Sequence, residues 1–226
     1  MRVVLFGATG MVGAGVLLEC LEDDRIDSVL VVGRRSCGVT HPKVREVLRS
    51  DFFDYGDLES ELRGLDACFF SLGVSAAGKS EAEYHRLTYD LTLAAAETLA
   101  RLNPSMAFCY VSGEGTDGSA QGRVMWARVK GKTENRLLSM PFRAYAFRPG
   151  FIQPLKGVRS STRLYRIAYT LAGPFIPLLR RVFSSHITTS VDVGRAMIQA
   201  AAAGSAKRVL ENPDIDALAA ASPAGP

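Results

Sequence analysis

Cysteine is scarce in this chain of 226 residues: there are four, Cys20, Cys37, Cys68 and Cys109, and no two are spaced as a metal-binding pair. Cys68 and Cys109 fall inside apolar, strand-like runs. They are expected as reduced core residues in a reducing compartment rather than as a disulfide framework, and no metal site is expected. Charge of one sign is not concentrated anywhere. The formal net charge of +4 is spread along the sequence, which argues against a nucleic-acid surface. Long apolar runs are missing as well. The most apolar late stretch, Arg159 to Arg181, is broken by Gly173, Pro174 and Pro177 and by basic residues, so no membrane span is expected. No internal repeat is present beyond an alternation of strand-like and helix-like segments. The first apolar run begins at Arg2 or Val3, which leaves no room ahead of it for a targeting peptide, and a cytoplasmic location is the expectation. Composition is otherwise that of a globular domain, with 47% apolar and 22% charged residues, and the length suffices for one domain with a large core.

That first run is the most informative stretch. Val3 to Phe6 is apolar at every position, as in a parallel strand buried on both faces. It stops at Gly7-Ala8-Thr9-Gly10-Met11-Val12-Gly13, and Met11 to Leu21 reads as a helix. The spacing Gly7-x-x-Gly10-x-x-Gly13 therefore sits on a strand-to-helix turn. There, glycines permit a tight turn, close approach of backbone to a pyrophosphate, and close packing of helix on strand. The helix N-terminus favours the phosphate charge. Gly7, Thr9, Gly10, Met11, Val12 and Gly13 are thus candidate dinucleotide-binding residues.

Strands are expected at Ser28–Val32, Val44–Leu48, Leu65–Gly73 (with its exit), Met106–Ser112 and Arg143–Phe147. Helices are expected near Gly56–Leu58, from Glu81 to about Arg101, and around Val124–Glu134. Asn103-Pro104 closes the long helix. Ile187-Thr188-Thr189 leads into a helix from Ser190 to about Ala203, followed by a short strand at Arg208–Leu210, a terminal helix around Ile215 and a frayed tail from Ala221. This alternation implies an α/β fold: a doubly wound parallel sheet in a single domain over 1–226, with a small C-terminal substrate lobe drawn mainly from 153–226. The second strand ends at Gly33-Arg34-Arg35. In dinucleotide folds an acid at this point accepts from the ribose 2′-hydroxyl. Two arginines pair instead with a 2′-phosphate, so the cofactor expected is NADP(H).

The turn Gly-Ala-Thr-Gly-Met-Val-Gly, the triplet Val129-Lys130-Gly131 with Glu134, and Arg148-Pro149-Gly150 resemble the atypical short-chain dehydrogenase/reductases. The stretch from Leu72-Gly73 to Tyr110-Val111-Ser112 resembles their Tat-interacting-protein-like branch. The resemblance implies a Rossmann fold and several roles. Asp51 and Phe52 would meet the adenine. Ser71, Leu72 and Gly73 would pass the cofactor ribose, and Pro149, Gly150, Phe151 and Ile152 the nicotinamide. Ser112 would hold a substrate carbonyl. Lys130 would bond the nicotinamide ribose and lower the pKa of a tyrosine one helical turn earlier. That tyrosine position is Trp126, whose indole N–H only donates and cannot exchange a proton with substrate.

The binding half of the family's site is therefore complete and the proton-transfer half is not. A replacement acid is required, with Tyr84, Tyr110 or a water as candidates; Ser119 is a fallback for Ser112, and Lys79 and His85 read as ordinary surface residues. Two functions follow. One is an NADP(H)-dependent oxidoreductase or epimerase-like enzyme acting on a small carbonyl or sugar-like substrate. The other is a non-catalytic NADP(H)-binding sensor that regulates a protein partner. The basic, apolar segment from Arg159 would form a lid, a homodimer surface or a membrane-surface helix.

Overall fold

The computed structural model of the protein describes residues 1–156 and 186–222. The strands β1 (Arg2–Phe6), β2 (Ser28–Gly33), β3 (Val44–Leu48), β4 (Ala67–Phe70), β5 (Ala107–Val111), β6 (Arg143–Arg148) and β9 (Val209–Glu211) form one parallel sheet in the order β3-β2-β1-β4-β5-β6-β9. β7 (Phe151–Gln153) and β8 (Ile187–Thr189) make a separate parallel pair. The helices are α1 (Met11–Glu22), α2 (Glu59–Leu62), α3 (Glu81–His85), α4 (Leu91–Leu102), α5 (Met125–Leu138), α6 (Ser190–Ala203) and α7 (Asn212–Ala221). The expected doubly wound sheet is what forms.

Its cause is visible in the strands. Side chains alternate across a strand, so a run that is apolar at every position must be covered on both sides. Val3 and Leu5 enter one core layer with Val29, Val31, Ala67, Phe69 and Cys109; this layer lies under α1, α6 and α7. Val4 and Phe6 enter the other with Leu30, Val32, Cys68, Phe70, Phe108 and Tyr110, under α2, α4 and α5. Cys68 and Cys109 are free thiols in opposite layers, as expected of core residues, and burial pushes both pKa values up.

Strand and helix limits follow local chemistry. Asn103 ends α4 by turning its side chain inward, where it donates to the Leu62 carbonyl and accepts from Leu65 N–H. Thr189 caps α6 by accepting from Asp192 N–H. Two features were not foreseen. The helix expected over Glu81–Arg101 contains a π-helical segment at Arg86–Asp90 between α3 and α4, and β7 pairs with β8 across a wide sequence gap.

The C-terminal part packs onto the main sheet where it is described. β9 pairs with β6, and Val193, Ala196, Met197 and Ile198 of α6 belong to the main core. Within residues 186–222, β9 and α6 thus extend the main sheet and its core. The segment read as a lid, dimer surface or membrane-surface helix (157–185) and tail residues 223–226 lie outside the described residues.

One contact sets the geometry of the first turn. A Cβ at residue 13 would lie 2.2 Å from the Gly7 carbonyl oxygen and 2.6 Å from Ser71 Oγ, so α1 packs on the ends of β1 and β4 only through glycine. Gly7 itself has φ +89°, a left-handed conformation open chiefly to glycine. Gly13→Val is expected to destabilise the fold by about 3 kcal/mol or more, since backbone rather than a flexible side chain must move. Chemical denaturation compares the variant with wild type; equal midpoints would contradict this packing.

Candidate functional site

Strand order reverses between β1 and β4, and the crevice outside their carboxyl ends is where ligands bind in such sheets. A cleft of about 190 Å³ lies there, lined by Gly7 to Gly10, Val31, Gly33, Arg34, Arg35, Phe52 and Ser71 to Val74. The expected residues Gly7, Thr9, Gly10, Arg34, Arg35, Phe52, Ser71, Leu72 and Gly73 are thus brought to one opening. Met11, Val12 and Gly13 form the first turn of α1 beside it, and Gly10, its N-cap, makes no side-chain cap bond. The free N–H groups and dipole at that helix start suit an anion. A Cβ on Gly10 would meet only the Gly7 carbonyl, at 3.3 Å, so residue 10 faces open space where residue 13 faces backbone. Ser71 bonds inward, its hydroxyl donating to the Phe6 carbonyl at 2.8 Å, which ties the end of β4 to the end of β1.

Arg34 and Arg35 are exposed on the rim and have no ion-pair partner among the described residues. Phe52 is 4% exposed and forms one wall. Asp51 is not part of the lining. Its carboxylate accepts from Phe53 N–H at 2.8 Å, a local turn, and it does not cap the short helix at Gly56–Leu58.

At the ends of β5 and β6 the expected catalytic residues are held by a buried charge network. Glu134 of α5 is 1% exposed. It receives two bonds from Arg148, Nε at 3.0 Å and Nη2 at 2.6 Å, and a third from Ser112 Oγ at 2.5 Å. Arg148 also pairs with Glu211 at 3.0 Å. These carboxylates raise the Arg148 pKa further above its ordinary value. Ser112 also donates to the Phe147 carbonyl and is buried, so its hydroxyl joins α5 to β6 and does not point at a substrate. This corrects the carbonyl-holding role expected of it: a hydroxyl has one proton, and Glu134 and Phe147 already compete for it.

Lys130 lies on α5. Its ammonium donates to the Ser112 carbonyl, and burial lowers its pKa to about 8, opposed by Glu134. Trp126 lies one turn earlier, its ring 5.9 Å from Lys130 Nζ and within reach of Gly115, so it forms a wall over the ammonium group. Tyr84 and Tyr110 do not replace the missing tyrosine. Both are 2% exposed, and burial raises both pKa values. Ser119 is held by Asp117, Lys79 pairs with Glu83, and His85 lies beside Asp90. After β6, Gly150 N–H donates to Asn212 Oδ1, and Phe151 and Ile152 enter the β7–β8 ladder. Two groups escaped the sequence reading. One is the Glu134–Arg148 ion pair. The other is a close pair formed by Glu114, just past Ser112, and His186, just before β8. No local periodicity announces either contact, since the partners are 14 and 72 residues apart.

No family model matches the chain. Among curated proteins it is 29% identical over 144 residues to leucinostatins biosynthesis cluster protein T of Purpureocillium lilacinum, covering 62% of this chain and 52% of that protein. It is 29% identical over 192 residues to the fmp52 protein of Emericella nidulans, covering 81% and 78%. It is 28% identical over 153 residues to HTATIP2 of Rattus norvegicus, a Tat-interacting-type protein, covering 66% and 62%. The chain resembles the atypical short-chain dehydrogenase/reductases.

Solved structures agree on the fold. A short-chain dehydrogenase/reductase family oxidoreductase from Burkholderia thailandensis matches with a TM-score of 0.67 at 17% identity, over 95% of this chain and 92% of that one. The Bordetella bronchiseptica enzyme WbmF, solved with NAD+, matches with a TM-score of 0.66 at 17% identity, over 96% and 76%. The chain spans about half to two thirds of the length of the first curated relatives it matches. The expectation of a cytoplasmic location is overturned by the same comparison, since the FMP52 relatives of several fungi are named as mitochondrial. A shared folded core carries no address, because targeting is read from separate segments.

Two measurements test this geometry. Gly10→Val is expected to keep the wild-type circular dichroism spectrum while dinucleotide affinity falls more than about tenfold, because the side chain fills space and not backbone. Normal binding by a folded variant would displace the phosphate turn. Lysine ¹³Cε titration by NMR is expected to place Lys130 near pH 8, below its ordinary 10.5, and Lys130→Met assigns the signal. A midpoint at the ordinary value would contradict its burial.

Proposed function

We propose that the protein binds a nicotinamide dinucleotide, NADP(H) in preference to NAD(H). On this reading it is an oxidoreductase or epimerase-like enzyme acting on a small carbonyl or sugar-like substrate. The observation that carries the reading is the cleft at the β1–β4 switch, with the glycine turn at its base and two unpaired arginines on its rim. The N-terminal turn of α1 receives the pyrophosphate. Arg34 and Arg35 receive the 2′-phosphate, Phe52 covers the adenine, and Ser71 to Gly73 line the path of the chain past the ribose. Lys130, Pro149 and Gly150 lie further along the carboxyl edge of the sheet, where the nicotinamide end would sit. When bound, the cofactor supplies or accepts a hydride. The protein's own part is to orient the substrate and to move a proton at its oxygen. Several solved neighbours were obtained with NAD+ or NAD, which supports the cofactor class and leaves the preference for the phosphorylated form to the arginines.

A second reading, a dinucleotide-binding sensor without turnover, is favoured by one observation. Trp126 occupies the tyrosine position, and its ring packs against Gly115 and Lys130.

Titration calorimetry with NADPH and NADH distinguishes the cofactor forms. NADPH is expected to bind about ten to a hundred times more tightly, the worth of one or two charge-assisted bonds. Arg34→Ala with Arg35→Ala is expected to abolish the difference. Equal affinities in wild type, or a preference that survives the double variant, would refute the assignment of the arginines.

A further inference from the structure

We propose that Glu114 and His186 are the proton-transfer pair of this site, with the imidazole exchanging a proton with the substrate oxygen and the carboxylate holding the imidazole. This rests on the dinucleotide reading given above. Glu114 leaves the end of β5 two residues after Ser112, and its N–H donates to the Pro149 carbonyl at 2.9 Å. His186 precedes β8. The two side chains meet at 2.5 Å between Glu114 Oε1 and His186 Nδ1.

They meet over Gly150. A Cβ there would lie 2.7 Å from Glu114 Oε2 and 2.3 Å from the His186 carbonyl oxygen, so any other residue at 150 would push the pair apart. Lys130 reaches the backbone just before Glu114: its ammonium donates to the Ser112 carbonyl, and its Nζ lies 3.8 Å from where a Cβ of Gly113 would stand. The pair therefore sits beyond the carboxyl ends of β5 and β6, on the segment that follows the Ser112 carbonyl held by Lys130.

The chemistry suits the place. A carboxylate on Nδ1 fixes the imidazole so that the mobile proton is on Nε2, and it stabilises the imidazolium. The side chains keep 46% and 60% of their exposure, so the outer edge of the ring is open to a substrate. Other polar candidates among the described residues are committed: Tyr84 and Tyr110 are in the core, Ser112 serves Glu134, and Ser119 serves Asp117.

In the reducing direction, His186 Nε2–H breaks and the proton forms an O–H bond at the carbonyl oxygen. The carbonyl carbon gains a hydride, with its electron pair, from the reduced nicotinamide dinucleotide. The imidazole is left neutral and is reprotonated from water. The charged groups around this end of the sheet are Lys130, the linked Glu134, Arg148 and Glu211, and Asp216, which accepts from Thr188.

The test uses the full chain with NADPH and a panel of aldehydes and ketones. For His186→Gln, dinucleotide affinity is expected to stay within about twofold of wild type while kcat falls by about two to four powers of ten. Added imidazole is expected to restore part of the rate to His186→Ala. In Glu114→Gln, kcat is expected to fall by about ten- to a hundredfold with dinucleotide affinity within about twofold of wild type, because the group that orients the imidazole is gone. A surface latch with no chemical role would leave kcat unchanged in both variants, and that result overturns the proposal. Normal dinucleotide binding by wild type with no turnover on any carbonyl also overturns it. A wild type that binds neither NADPH nor NADH instead removes the dinucleotide reading, and this proposal with it.

Discussion

The approach of α1 to the end of β1 governs the rest of the molecule. A helix can begin that close to a strand only where residue 13 has no side chain, because Gly7 and Ser71 occupy the space a Cβ would take. From this one contact the helix N-terminus is aimed across the carboxyl edge of the sheet, with its unpaired N–H groups toward the cleft. Ser71, bonded back to Phe6, holds the end of β4 at the same level. The strand-order reversal then opens the crevice between the two ends. One set of small residues thus has distinct duties: Gly13 serves the packing, and Gly10 leaves the cleft open.

The far end of the site is held by charge rather than by close packing. Glu134 is nearly fully buried, and an unpaired carboxylate there would cost several kcal/mol. Arg148, Ser112 and Glu211 satisfy the network, and in doing so they join α5, the exits of β5 and β6, and β9. The same arrangement fixes the Ser112 carbonyl that takes the Lys130 ammonium. Ser112 keeps its place in the family pattern while its hydroxyl faces inward. Trp126 likewise keeps its place one turn before Lys130, yet it contributes a ring surface instead of an acid.

Much of the fold was legible because buried parallel strands leave a strong mark. Val3–Phe6, Ser28–Val32 and Met106–Ser112 are apolar enough along most of their length to need covering on both faces, and each is a strand within a residue or so of its expected limits. The glycine turn was equally legible, since the sterics it answers to are local. The π-helical segment at Arg86–Asp90 was not, because an extra residue in a helical turn leaves the apolar spacing almost intact. The β7–β8 pair was missed because three-residue strands carry too little pattern. The small C-terminal lobe was expected inside a single domain, and α6 carries Val193, Met197 and Ile198 into the main core.

By itself, then, the sequence determined the order of most elements, the glycine turn at Gly7–Gly13, the paired arginines after β2 and the absence of a tyrosine before Lys130. Each is a property of neighbours along the chain: apolar periodicity, glycine at fixed offsets, or a residue type at one position. The tertiary structure alone decided where Ser112 points, that Glu134 lies buried against Arg148, and that Glu114 meets His186 over Gly150. Those contacts join residues far apart in the chain, and their geometry depends on how the strand ends stack side by side, which no local pattern encodes.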